Sequence, residues 1–491
     1  MIEMSKFIIP EDVLKVSEGL ESAGFEAYLV GGCVRDLIIG RTPKDWDITT
    51  NATPEKIQEI FPETFYENIY GTVGVVGESE DPTLKIIEVT PYRKEGTYSD
   101  ARRPDTVEFG VSLEEDLKRR DFTVNAMAYR PKTGELVDQH GGHEDAKKRL
   151  IRAVGEPKVR FEEDALRMMR GVRLSAELGF AIEQKTAEAI HETSEQLSKI
   201  SKERIRDELI RIIETKEPMQ ALFVSQKLGL LKHISPSLEH GIGIDQNQAH
   251  SFDVFEHLLR ALQHSADKEW PFIIRLSALF HDVGKPATRR WSEEKKDWTF
   301  HGHEVVGARM TRKALTELRF PSETIEKATN LVRWHMFFSD PDKITLSAVR
   351  RMIANVGQEN IWDLLNLRIC DRIGTGRPKE QPFRFRKYKS MVEEALRDPV
   401  SVAMLAINGA DIMSHLDEKP GPRIGWMLHA LLEEVLEDPE KNTKEYLLEK
   451  TRVLTNLEDK VLRAMGEEGK EAKAEAEGEE LATIRAKYHV D

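Results

Sequence analysis

The sequence predicts an α+β chain, with a mixed α/β head followed by an all-α neck, a second helical domain and a helical tail. Three observations carry that expectation. Short β-rich runs bounded by Gly, Pro or charged residues alternate with turns and helices from Glu26 to Asp138. From about Arg152 onward the apolar residues recur with the helical period, so the architecture changes near Val154-Gly155-Glu156-Pro157. At 491 residues the chain exceeds what one hydrophobic core sustains, and three or more domains follow. The divisions expected are 1-150, 151-235, 236-380 and 381-491.

Taken in order, residues 7–23 read as a helix, and strands are expected at 27–30, 46–49, 73–76, 84–90 and 106–109. The first strand, with Tyr28, Leu29 and Val30, runs into Gly31 and Gly32 and then Arg35 and Asp36. A glycine pair presents bare backbone N–H groups, because a Cβ at either position would hold a phosphate away. Arg35 adds a cation on the following turn. Asp45-Trp46-Asp47-Ile48 alternates polar and apolar, so a strand there puts both carboxylates on one face. Such a pair is a hard-oxygen site for Mg²⁺, which can activate an attacking hydroxyl and neutralise a triphosphate leaving group. An Asp-x-Asp pair is common by chance in solvated loops; its place just after the Gly-Gly-x-x-Arg-Asp turn makes this one a candidate nucleotidyl-transfer site.

In Arg119-Arg120-Asp121-Phe122-Thr123-Val124-Asn125, Asp121 is expected to cap a helix with Asn125 one turn on. With Arg120 they could hold a ribose hydroxyl and a phosphate, while Phe122, Val124 and Met127 pack inward. Asp164, Arg167, Arg170 and Arg173 recur every three residues and form one stripe if the segment is helical, where they could be a plain ion-pair ladder. They could also read a base. Cytosine and adenine both show an exocyclic amine beside a ring-nitrogen acceptor, so Asp164 accepting from the amine and Arg167 donating to the ring nitrogen would admit C and A and reject U and G. Arg170 and Arg173 would then reach the triphosphate.

Gly31-Gly32-Cys33-Val34-Arg35-Asp36, Asp45-Trp46-Asp47, Arg120-Asp121 with Asn125, and Glu163-Asp164-Ala165-Leu166-Arg167 together resemble the ordered motifs of class II tRNA nucleotidyltransferases, which bacterial poly(A) polymerases share. The resemblance spans roughly the first 215 residues. It implies a nucleotidyltransferase head, a neck that reads the incoming base, and CCA addition: CTP, CTP and then ATP joined to a tRNA 3′ end without a nucleic-acid template. The charged, glycine-containing stretch 92–104 is similar to the flexible loop that CCA-adding members use in switching from C to A, and its presence favours full CCA addition. Glu88, on the expected strand 84–90, is a further acidic residue outside the candidate set.

Farther on, His257, His281-Asp282 with Gly284-Lys285-Pro286, His303, His335 and Asp371 resemble an HD phosphohydrolase domain. Adjacent imidazole and carboxylate suit a divalent cation, and the resemblance implies His257, His281, Asp282 and Asp371 as four ligands, with His303 and His335 sufficient for a second metal. Such a site, taking Mg, Mn, Co or Ni, would act on phosphomonoesters or 2′,3′-cyclic phosphates, with Lys285 contacting phosphate.

The rest of the chain sets limits. Formal net charge is −14, but residues 466–481, rich in Glu, Ala and Lys, hold much of it, so the sum is a weak objection to an RNA partner. Two cysteines, Cys33 and Cys370, give no disulfide framework, no signal peptide or membrane span is read, and a cytoplasmic location is expected. Phe383-Arg384-Phe385-Arg386-Lys387-Tyr388-Lys389 interleaves aromatics with bases, equally suited to an RNA backbone or to snorkelling over a core. The resemblance implies tRNA as partner through its 3′ end, acceptor stem and elbow, the last supported by residues 412–432, with no membrane and no DNA. Alternatives of different kinds stay open: a poly(A) polymerase, a partial CC- or A-adding enzyme, or an HD nucleotide hydrolase with a sensing head.

Overall fold

The computed structural model describes residues 2–3, 7–66, 71–96, 106–246, 251–337, 344–397, 402, 405–416 and 419–489. Two compact units result, Met1–His335 with Asn366–Pro378, and Met336–Leu365 with Lys379–Asp491. The second unit includes 336–365.

Pro10 precedes α1 (Glu11–Ser22), which begins four residues later than expected because Pro10 sits in an extended conformation at its N-cap. Val13, Val16 and Leu20 form its buried stripe. The strands of the head are β1 (Ile2–Glu3), β2 (Ala27–Val30), β3 (Asp47–Thr50), β4 (Thr64–Tyr66), β5 (Val73–Val76), β6 (Ile86–Pro91), β7 (Arg93–Glu95), β8 (Val107–Phe109), β9 (Met127–Arg130) and β10 (Glu135–Asp138). Eight make one sheet in the order β1-β10-β9-β2-β3-β6-β5-β4, while β7 and β8 pair separately. Only β3 and β6 run parallel; every other pairing in the sheet is antiparallel. Val13, Leu20, Val34, Ile48, Ile57 and Val89 share the core that α1, α2 (Gly32–Ile38) and α3 (Pro54–Ile60) close over this sheet. The short helices α4 (Leu113–Lys118) and α5 (Gly142–Lys148) complete the head.

The helix expected from Asp121 does not form. One 3₁₀ turn, Thr123–Asn125, is followed directly by β9, because Met127 and Tyr129 are needed in the sheet core. Of the stretch 92–104, Tyr92 is buried with its hydroxyl donating to Glu26 (2.9 Å), and β7 pairs with β8; residues 97–104 lie outside the described residues.

The neck comprises α6 (Pro157–Glu163), α7 (Leu166–Leu178), α8 (Gln184–Thr193), α9 (Lys202–Glu214) and α10 (Pro218–Lys227). After α11 (Leu231–Ile234) and α12 (Pro236–Glu239) come α13 (Val254–Asp267), α14 (Phe272–Phe280), α15 (Lys285–Thr288), α16 (His303–Glu317) and α17 (Ser322–Trp334). A continuous apolar core from Phe122 through Leu209 and Leu259 to Val332 unites neck and HD helices. Two short β pairs, Leu150–Ile151 with Ala181–Ile182 and Arg290–Ser292 with Asp297–Thr299, interrupt a body expected to be all helical.

In the second unit, α18 (Leu346–Val356) and the start of α19 (Ile361–Gly374) join α20 (Phe383–Leu396), α21 (Gly409–Leu416), α22 (Pro422–Glu437), α23 (Lys444–Thr455) and α24 (Asp459–Lys487). A Cβ on Gly469 would fall 2.1 Å from the His429 carbonyl oxygen, so glycine lets α24 lie directly on α22. On α20, Arg386 donates to the carbonyls of Tyr488 and His489 (3.0 and 3.2 Å), and Phe385 and Tyr388 are buried. The basic and aromatic residues there hold the end of α24.

Candidate active site and metal centre

Gly31 takes φ +80°, and a Cβ built there would lie 3.1 Å from Asp47 Oδ2 and 3.4 Å from Arg120 Nη1. Glycine is thus needed twice, for the left-handed backbone and for room beside a carboxylate and a guanidinium. At Gly32 the nearest neighbour is Arg35 Nη2 at 3.5 Å, an ordinary contact, so the tight approach belongs to Gly31 alone. Trp46 and Ile48 are buried while Asp45 is exposed and Asp47 half-buried, so the alternation holds although β3 starts only at Asp47. The parallel register with β6 sets Glu88 opposite Asp47, a neighbour that pairing, not spacing, supplies. Cys33 donates its thiol to the carbonyls of Val30 (3.2 Å) and Asp47 (3.8 Å). Burial, then the Asp47 charge, pushes that thiol up to about 12, which makes it a fastening for the turn and no nucleophile.

The cations and amides predicted for nucleotide contacts have protein partners. Arg35 donates to Asp36 Oδ1 (2.8 and 2.9 Å) and to Asn125 Oδ1 (2.7 Å). Arg120 reaches Asp116 Oδ2 at 3.3 Å. Asp121 caps no helix; its Oδ1 accepts from the Phe122 N–H (2.9 Å) and its Oδ2 from Arg170 (2.7 Å). Burial would raise the Asp121 carboxyl, but Arg170 and then Arg167 outweigh it and hold the group below the usual carboxylate range.

The four-residue stripe is broken at its first member. Asp164 has φ −143° and ends α6, so it precedes α7, its carbonyl accepting from the Arg167 N–H (3.1 Å) in the turn that opens α7. The carboxylate accepts instead from Arg204 on α9, at 3.2 and 2.7 Å, and from the Leu166 N–H. Arg167 donates to Glu163 (2.8 Å) and to the Arg119 carbonyl (3.3 Å), and Arg173 to Glu208 and Glu177, both at 2.9 Å. Arg204 escaped the sequence reading because an arginine on an amphipathic helix carries no local signal.

The HD residues converge. Ligand atoms, one each from His257, His281, Asp282 and Asp371, lie within 4.8 Å of one another, and so do one each from Asp282, His303 and His335. Asp282 belongs to both groups: Oδ2 is 2.9 Å from His257 Nε2 and 3.2 Å from His281 Nε2, and Oδ1 is 3.1 Å from His303 Nε2 and 3.4 Å from His335 Nε2. Backbone carbonyls of Ala278, Phe300 and Val332 stand 2.8, 2.7 and 2.6 Å from Nδ1 of His281, His303 and His335. A carbonyl only accepts, so each Nδ1 carries a hydrogen, and in the neutral imidazole Nε2 is left with its lone pair. Nε2 of His303 and His335 and Asp282 Oδ1 are buried without a hydrogen-bond partner, while Asp282 Oδ2 takes Lys285 at 2.6 Å. Lone pairs facing a carboxylate in a buried pocket call for cations, and this donor set fits two. The same crowding raises His281 to about 9, where burial opposes protonation and Asp282 and Asp371 overcome it. Lys285 does not face outward; it is buried, 2.6 Å from both Asp282 Oδ2 and Gln246 Oε1.

The glycines of the motif explain the convergence. A Cβ on Gly284 would lie 2.3 Å from the His303 carbonyl oxygen and 2.5 Å from the Gly307 nitrogen, and one on Gly374 would lie 2.9 Å from His257 Nδ1. Bare backbone at these two positions brings α16 to Asp282 and α19 to His257.

Three family profiles match along the chain: the Poly A polymerase head domain at 27–152, the "probable RNA and SrmB-binding site of polymerase A" at 179–242, and the HD domain at 248–364. The CCA-adding enzyme of Geobacillus stearothermophilus is 31% identical over 90% of this chain and 97% of its own. The CC-adding tRNA nucleotidyltransferase of Thermus thermophilus is 34% identical over 83% of this chain and 89% of its own. With the CCA-adding enzyme of Lactobacillus helveticus identity rises to 49%, and there the match spans about half of the relative's length, 52%. The crystal structure of the Bacillus stearothermophilus CCA-adding enzyme in complex with CTP is similar at TM-score 0.60 and 28% identity, over 91% of this chain and 99% of that one. The chain belongs to the family of CCA-adding tRNA nucleotidyltransferases with an HD domain.

Proposed function

We propose that this chain adds C, C and A in turn to the 3′ end of tRNA, using CTP and ATP. The observation that carries the reading is the Gly31 turn, where bare backbone lies against Asp47 and Arg120 in a chain of this family. Asp45 and Asp47 would hold Mg²⁺, which supplies Lewis acidity to the attacking 3′ hydroxyl and to the triphosphate. Glu88 stands beside Asp47 in register and can orient it. Arg120 contacts phosphate across Gly31 and Gly32, Arg35 fixes Asn125 for the ribose together with Asp121, and Arg170 and Arg173 complete the cationic side toward the triphosphate. Asp164 accepts from the base amine and Arg167 donates to its ring nitrogen. Arg204 holds the Asp164 carboxylate in the structure, so base binding shares or replaces that ion pair.

The division 1-150, 151-235, 236-380 and 381-491 assigns catalysis, base reading, a hydrolase and a helical body. The acceptor stem and elbow of tRNA would lie along the helical parts, in the cytoplasm and without DNA. Among the described residues no helix is long and apolar enough to cross a membrane. The HD cluster would bind Mg, Mn, Co or Ni and hydrolyse phosphomonoesters or 2′,3′-cyclic phosphates at RNA ends.

A second reading, CC addition alone, is favoured by the 34% identity to a relative of that name. Extension of a tRNA lacking its CCA, with CTP, ATP or both and resolved at single nucleotides, separates them. Two C additions, then one A and a stop support the first reading; a halt after two C supports the second. A long A ladder would mean poly(A) synthesis.

A further inference from the structure

After Lys285 and before His303 the chain forms a two-stranded hairpin, Arg290–Ser292 with Asp297–Thr299. Trp291 and Trp298 are directly opposite in its register, so both indoles stand on one face, edge to face with centroids 5.2 Å apart. The Arg289 guanidinium lies 3.7 Å from the centre of the Trp298 ring and 3.8 Å from Asp245 Oδ2, and its Nε is buried without a hydrogen-bond partner. Trp291 ends this row and is 48% exposed.

The hairpin is rooted at the metal cluster. Phe300, directly after the second strand, offers its carbonyl to His303 Nδ1 (2.7 Å), and its ring centre lies 5.7 Å from Lys285 Nζ, which is 2.6 Å from Asp282 Oδ2. On the other side Asp245 precedes Gln246, whose Oε1 is also 2.6 Å from Lys285 Nζ. Two routes, through Phe300 and through Asp245-Gln246, thus tie the indoles to the lysine that touches Asp282.

A cross-strand Trp pair steadies a ribbon of three-residue strands. The contact between the two rings meets that need and leaves half of Trp291 in water. Exposed aromatic faces take up nucleobases, because every base has a π-face to stack. Within the hairpin Arg290, Lys295 and Lys296 are balanced by Glu293, Glu294 and Asp297, so there is no net charge to attract a phosphate backbone, and the rings are what it offers. Resting on the reading of the HD cluster as a phosphohydrolase, we propose that this hairpin is its base-binding wall. A nucleobase of the substrate stacks on Trp291 while the adjoining phosphate is presented to the cluster. The substrate class is therefore a nucleotide or the single-stranded end of an RNA, and not a small phosphomonoester that lacks a base.

The test uses the full chain loaded with Mn²⁺ and two substrates, a 3′-phosphorylated oligonucleotide and base-free glycerol phosphate. The same oligonucleotide ending in 4-thiouridine is photo-cross-linked to the chain, and the attachment is mapped by mass spectrometry of peptides. Trp291→Ala is expected to raise KM for the oligonucleotide about 10-fold, with kcat and bound manganese near wild type and hydrolysis of glycerol phosphate falling far less. It should also lose a cross-link that the wild-type chain forms within 290–299. Trp291→Phe, which keeps a ring, should recover most of both effects, and Trp291→Thr, which keeps strand propensity without a ring, should behave as the alanine variant. A wild-type KM in the alanine and threonine variants, equal losses on the two substrates, or a cross-link map that omits the hairpin would overturn the proposal. Cross-linking to the hairpin in a chain that hydrolyses neither substrate removes the hydrolase reading and leaves the base site.

Discussion

Asp45 and Asp164 are both carboxylates of the proposed transferase site, yet their surroundings give them different tasks. Asp45 is exposed beside buried Trp46. Asp45→Ala should abolish nucleotide addition while tRNA affinity, measured by filter binding, stays near wild type; addition at wild-type rates would contradict the metal role. Asp164 is held by two hydrogen bonds from Arg204, which fixes the direction in which its oxygens point. Arg204→Ala frees that carboxylate, and discrimination of CTP over UTP should fall by about 10-fold, within the 1–3 kcal/mol of a bidentate base contact. Arg167→Ala should likewise relax selectivity before activity is lost. Competition between the two triphosphates in single-nucleotide extension measures both.

At the level of elements, glycines set the distances between them. Gly31 lets β2 turn into α2 beside Asp47, and Gly284 lets the turn after Asp282 touch the first residues of α16. Gly284→Ala must push apart two stretches of backbone, since no flexible side chain is there to give way. Bound manganese per chain, read by elemental analysis, should fall severalfold, while the head, with its separate core, should still extend tRNA. Loss of both together would mean that head and HD helices fold as one cooperative body.

For the molecule as a whole, the ion pair of Asp121 with Arg170 fastens head to neck, beside the hydrogen bonds that Arg160 and Arg167 give to the Arg119 carbonyl. Asp121 is buried and its folded pKa is depressed, so its stabilisation is complete above its unfolded value, about 4, and is lost as pH falls through the lower folded value. Arg170 is partly exposed, which limits the pair to about 2 kcal/mol. Asp121→Asn should lower Tm at pH 7 and flatten the acid side of the stability curve below pH 4; an unchanged acid limb in thermal melts would show that other carboxylates govern it.

The sequence by itself determined the head strands at 27–30 and 73–76, the paired aspartates flanking buried Trp46 and the His281-Asp282 pair, because period-two alternation, glycine turns and His-Asp adjacency are local, while His257, His303, His335 and Asp371 were indicated only by the resemblance to HD domains. It misjudged the segment after Asp121 and the stripe from Asp164, where a helix looked possible: β9 takes the first segment into the sheet, and α6 ends at the second before α7 begins. Tertiary structure alone decided that Glu88 stands beside Asp47, that Arg204 holds Asp164, that Asp282 serves both halves of the metal cluster, and that Lys285 turns inward. These are contacts between residues as far apart as Asp282 and Asp371, or between side chains whose direction packing sets, and no spacing in the chain encodes them.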